Sequence, residues 1–100
     1  MEQIELSLGS SVPAETLPAR IEACIASYGL QVRRRGTLRA YPGSLHWHVE
    51  KPGERGTLEV TLWPAKHRLW LAVQAGRRAR WIEDSLPQIK AHLEQQIATL

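Results

Sequence analysis

Between Gln31 and Ala75 apolar and polar residues alternate in four short runs, each closed by turn-forming residues, the pattern of antiparallel strands with one buried and one wet face. In the run from Ser44 to Lys51, Leu45, Trp47 and Val49 share one side, while Ser44, His46, His48 and Glu50 share the other. The run from Thr57 sets Leu58, Val60 and Leu62 against Thr57, Glu59, Thr61 and Trp63. The last sets Leu69, Leu71 and Val73 against Arg68, Trp70, Ala72 and Gln74. The first run, from Leu30 to Ala40, is irregular, because the parity of Leu30, Val32 and Leu38 also carries Arg34 and Gly36. Either Arg34 snorkels from an edge strand or a bulge at Gly36 shifts the register.

The connections are chemically explicit. Tyr41-Pro42-Gly43-Ser44 has Pro and Gly where a type II turn wants them and predicts a tight hairpin. Lys51 to Gly56 repeats the Pro-Gly signal in a longer loop, and Trp63 to His67 makes a third short connection. Sequential antiparallel neighbours, a meander, are the simplest arrangement.

The flanks add an edge strand and two helices. Ile4, Leu6 and Leu8 alternate with Gln3, Glu5 and Ser7, and Gly9-Ser10-Ser11 ends that strand, whose partner the sequence does not specify. Leu17, Ile21, Cys24, Ile25 and Tyr28 form one helical stripe, starting at Ser11 with Pro13 in the first turn or at Thr16 with Pro18 there. Gly29 followed by Leu30 predicts a left-handed cap with an apolar contact back to the last turn. Beyond the basic loop 76–80, Trp81 and Ile82 anchor the chain, and Ser85 with Gln88 reads as a capping box with Pro87 in the first turn. Leu86, Ile89, Leu93, Ile97 and Leu100 then make the buried stripe. The expected fold is α+β: a single domain over 1–100, ordered β-α-β-β-β-β-α. It is a two-layer sandwich, an antiparallel meander of four to five strands with both helices on one face and the other face open.

Charge sharpens that picture. Residues 31–80 carry a net +8, residues 1–30 a net −3 and residues 81–100 a net −2, so the basic character belongs to the sheet and its loops. If the alternation holds throughout, the open face displays Arg33, Arg35, Arg39 and Tyr41, then His46 and His48, Trp63, and finally Arg68 and Trp70, with Arg77 and Arg78 extending it. Guanidinium groups interleaved with rings suit RNA or single-stranded DNA, phosphates held by arginine and bases stacked on aromatics. The alternative is a protein partner or a homodimer, with Trp63 and Trp70 at the interface. Glu50 and Glu59 on the same face count against nucleic acid.

His46 and His48 stand two apart on a strand, a spacing able to chelate zinc with His67 or Glu59 as a third ligand. The bland reading, two imidazoles lining a polar face, is preferred, so no cofactor is expected. The lone Cys24 lies on an inward stripe and reads as a small buried residue. There is no Gly-flanked serine elbow, no phosphate-cradling glycine loop and no acid–base carboxylate pair, so the sequence points away from an enzyme. A single cysteine, and no leader-like or membrane-length apolar stretch, lead to the expectation of a soluble cytoplasmic protein.

Overall fold

The computed structural model describes residues 2–9 and 11–99. A five-stranded antiparallel sheet packs against two helices, in the order β1 (Glu2–Leu6), α1 (Leu17–Ser27), β2 (Gln31–Gly36), β3 (Leu45–Glu50), β4 (Leu58–Trp63), β5 (Arg68–Val73) and α2 (Arg80–Ala98). Strands run β1-β5-β4-β3-β2 across the sheet, so the expected meander holds and β1 closes the far edge on β5. The register places Trp47, Val60 and Leu71 in one row and Val49 beside Leu58 in the next. These side chains form a single core with Leu17, Ile21 and Ile25 of α1 and Ile82, Ile89 and Leu93 of α2. No helix among the described residues is long and apolar enough to cross a membrane.

Helix α1 begins at the second of the two expected starts. A 3-10 turn, Ala14–Thr16, follows Pro13 and leads into α1 with Pro18 in its first turn. Its end is the expected cap: the Leu30 N–H donates to Ile25 O (3.3 Å) and the Gly29 N–H to Ala26 O (3.0 Å). Cys24 is buried on this stripe, and desolvation pushes its thiol up to about 11, so it behaves as a packing residue.

Three expectations are corrected. Helix α2 starts at Arg80, not at the Ser85 capping box, which leaves Pro87 in the helix interior and Ser85 without a capping role. Starting earlier brings Trp81 and Ile82 into the core, and the Trp81 indole N–H donates to Arg55 O (2.6 Å). That burial outweighs the backbone bond that Pro87 denies to Glu83 O. Leu100 of the expected stripe and Ser10 of the expected strand-ending turn lie outside the described residues.

The second correction concerns β2, which ends at Gly36 and whose bulge lies between Val32 and Arg34 rather than at Gly36. Val32 pairs with Val49 toward the core, Arg33 is the extra residue, Arg34 pairs with His48 and Arg35 with Trp47. Arg35 therefore points to the helix side.

Third, the β2–β3 connection is no tight hairpin but an eight-residue loop, 37–44, of two successive turns. The Tyr41 N–H donates to Leu38 O and the Ser44 N–H to Tyr41 O, both at 3.0 Å, with Gly43 at φ +82° as the predicted type II turn demands. This loop lies over the sheet face opposite the helices, which is therefore not open.

Gly56 marks the tightest passage in the fold. The β3–β4 loop is sewn to the 3-10 turn ahead of α2 by the Thr57 N–H bond to Arg77 O (3.1 Å), and a Cβ on Gly56 would stand 2.6 Å from Ala79 Cβ, with φ at +100°. Gly56→Ala should lose about 2–4 kcal/mol of stability through clash and backbone strain. Gly76, with open space around it, should tolerate Ala within about 0.5 kcal/mol. Urea unfolding of the two variants beside the parent protein checks the contrast.

Candidate functional site

The face away from the helices is built from alternate residues of β3, β4 and β5, and the register sets its rows. His46, Thr61, Trp70 and Glu5 form one row; Arg34, His48, Glu59, Ala72 and Gln3 form the next. Two clusters occupy it, one aromatic and one polar.

The aromatic cluster is closed on itself. Tyr41 from the 37–44 loop meets both Trp63 and Trp70 edge-on, with ring centroids at 4.9 and 5.0 Å, and the Trp63 indole N–H donates to Pro42 O (2.9 Å). Arg68 lies over the Trp70 ring at 4.5 Å while its guanidinium grips Glu5 through bonds of 2.8 and 3.3 Å. Trp70 is left only 4 % exposed. Trp70, expected both to stack and to anchor an interface, is thus taken up by contacts inside the chain, while Tyr41 and Trp63 stay partly exposed.

Beside it lies a polar cavity of about 250 Å³ lined by Arg34, Gly36, Thr37, Leu38, His46, His48, Glu59 and Gln74. Thr61, directly across from His46 in the same row, meets its Nδ1 at 2.7 Å, and Gln74 Nε2 donates to Glu59 Oε2 at 2.9 Å. His46 Nε2 stands 3.3 Å from Glu59 Oε1, and the His46 and His48 rings are 5.0 Å apart. His46 and Glu59 are buried, at 9 % and 7 % exposure. Burial holds the His46 imidazole below its usual pKa, as do the charges of His48 and Arg34, while the Glu59 carboxylate opposes them. Of the two third partners suggested by sequence, Glu59 joins the histidines; His67 sits in the β4–β5 turn, outside this cluster.

The arginines part company. Arg35 makes a two-pronged bond to Glu22 of α1 (2.7 and 2.8 Å), and the Trp47 indole donates to the same carboxylate (2.8 Å). Arg78 pairs with Glu83 (3.1 Å) and Glu2 (3.7 Å), at the end of β5 away from Arg68, and Arg77 is exposed in the 3-10 turn before it. Arg33 reaches Glu50 only at 3.9 Å. Arg34 and Arg39 are exposed and, among the described residues, have no carboxylate partner. Arg34 was not expected here, since unbroken alternation from Val32 aims it at the core. The only cue in the sequence is that a core rejects a guanidinium.

No protein-family model matches the chain, and no curated protein or solved structure matches it either.

The Glu22 triad makes a sharp prediction. The Arg35 and Trp47 hydrogen bonds lower the Glu22 carboxyl from 4.5 to about 2, so its stabilising contribution is full above pH 4.5 and is lost as pH falls toward 2. The stability gap between the parent protein and Glu22→Gln should be constant from pH 7 to about 5, then close by about pH 2. Urea melts across that range read it directly; a gap that persisted at pH 2 would refute the assignment.

Proposed function

We propose that this protein is a small binding module for an anionic strand, RNA or single-stranded DNA, which it engages along β2 and the 37–44 loop. The reading rests on one observation: Arg34 and Arg39 lack internal carboxylate partners among the described residues and Arg33 nearly so, whereas Arg35, Arg68 and Arg78 are committed to glutamates. A guanidinium left without a partner, on the edge strand or in the loop that follows it, keeps its fork free for phosphate. Arg34 also stands on the rim of the polar cavity, where the partly exposed His48 adds a donor. Trp70 takes no part in this footprint, and Tyr41 and Trp63 are engaged edge-on with their neighbours.

Fluorescence anisotropy with a mixed-sequence oligonucleotide tests the reading. Three phosphate contacts to a single strand give a slope of about −2 in log affinity against log salt. Arg34→Glu with Arg39→Glu should weaken binding more than tenfold and flatten that slope, whereas Arg35→Gln should leave both unchanged. Binding indifferent to salt and to the double substitution would sink the proposal. Light scattering at two concentrations distinguishes the competing reading, self-association, in which mass rises with concentration.

A further inference from the structure

The polar cavity carries chemistry beyond its contribution of Arg34 and His48 to phosphate binding. His46, His48 and Glu59 each offer one ligand atom, and these atoms all lie within 4.8 Å of one another. In a tetrahedral zinc site, with metal bonds of about 2.0–2.2 Å, neighbouring donor atoms stand roughly 3.3 Å apart. His46 Nε2 and Glu59 Oε1 already stand at 3.3 Å. That separation exceeds the usual 2.7–2.9 Å of a charge-assisted hydrogen bond but equals a tetrahedron edge.

What surrounds the three residues orients them. Thr61 occupies His46 Nδ1 and Gln74 occupies Glu59 Oε2, leaving His46 Nε2 and Glu59 Oε1 turned toward a common centre. A threonine hydroxyl both donates and accepts, so Thr61 can donate to Nδ1 in the metal-free protein and accept from Nδ1–H once Nε2 binds an ion. Such outer partners fix ligand rings and carboxylates in working metal centres. His48 is the most exposed of the three and sits on the edge-strand side, the ligand with most freedom to adjust.

We infer that His46, His48 and Glu59 form a three-ligand site for a zinc-class divalent ion, its fourth position facing the cavity. The donor set of two imidazoles and one carboxylate suits zinc over calcium or magnesium, which take oxygen ligands. Arg34 lines the same cavity and favours an anion in the fourth position, which offsets its repulsion of the metal. The site shares His48 with the nucleic-acid reading but none of its arginines, and metal uptake is measured with no oligonucleotide present, so the two fail separately.

The test is a titration of chelator-stripped protein with Zn²⁺ by calorimetry and with Co²⁺ by visible absorption. One ion per chain is expected, with micromolar or tighter affinity and the intense d–d band of four-coordinate cobalt. His48→Asn and Glu59→Gln should each weaken binding at least tenfold and Gln74→Ala about tenfold, while His67→Asn and His92→Asn leave it unchanged. Circular dichroism establishes that each variant folds; His48→Asn, changed at a partly exposed position, keeps the test valid if Glu59→Gln does not. No uptake at about 1 mM Zn²⁺, or uptake indifferent to His48→Asn and lost in His67→Asn, would overturn the site.

Discussion

One surplus residue in an edge strand sends the consecutive arginines Arg34 and Arg35 to opposite faces of the sheet. Because the bulge falls at Arg33, Val32 still meets Val49 in the core, Arg34 turns to the outer face beside His48, and Arg35 returns to the helix side beside Trp47. Without it, strict alternation would leave Arg34 facing the helices among apolar side chains, where an unpaired guanidinium is expensive. With it, Arg35 reaches Glu22 and ties β2 to α1, while Arg34 takes the cavity rim. The arrangement of both sides of the sheet at this edge follows from that shift.

The outer face is the second consequence of local backbone chemistry. Since β2 stops at Gly36, residues 37–44 are free to turn twice and lay Tyr41 across Trp63 and Trp70. Two layers of secondary structure therefore carry a third, partial layer made of one loop. The cover excludes water from the centre of the sheet: Thr61, Trp70 and Ala72 are buried although they face away from the helices. It also explains how a sheet face rich in His, Glu and Thr remains well formed, for among the described residues no buried side-chain polar atom lacks a partner.

Much of this was legible in the residues. The period of two gave β3, β4 and β5 their inward and outward sets correctly, because three neighbouring strands with the same alternation admit one partition. Gly29 and Gly43 announced their cap and turn, since those backbone conformations leave few other residues eligible. The site was less legible for identifiable reasons. A bulge has no spacing of its own, and a loop that folds back over a sheet buries residues such as Trp70 whose parity alone says wet. The false helix start at Ser85 has the same root: capping letters are a local preference worth about 1 kcal/mol, while burying Trp81 and Ile82 is worth several times that.

The polar cluster poses the remaining energetic question. Replacing a buried histidine–carboxylate pair by well-packed apolar side chains is often neutral or stabilising, so such a pair is weak evidence for a purely structural role. Here the surrounding row offers an apolar solution at once: Ala72 and Trp70 already sit beside Glu59 and Thr61 on the same face. Instead the chain supplies Gln74 and Thr61 to hold the outer atoms of Glu59 and His46, and leaves the inner two atoms 3.3 Å apart. At 3.3 Å that inner contact sits at the long, weak end of hydrogen-bond geometry. Both residues are thus paired on their outer atoms, while their inner contact stays long beside a cavity with Arg34 on its rim.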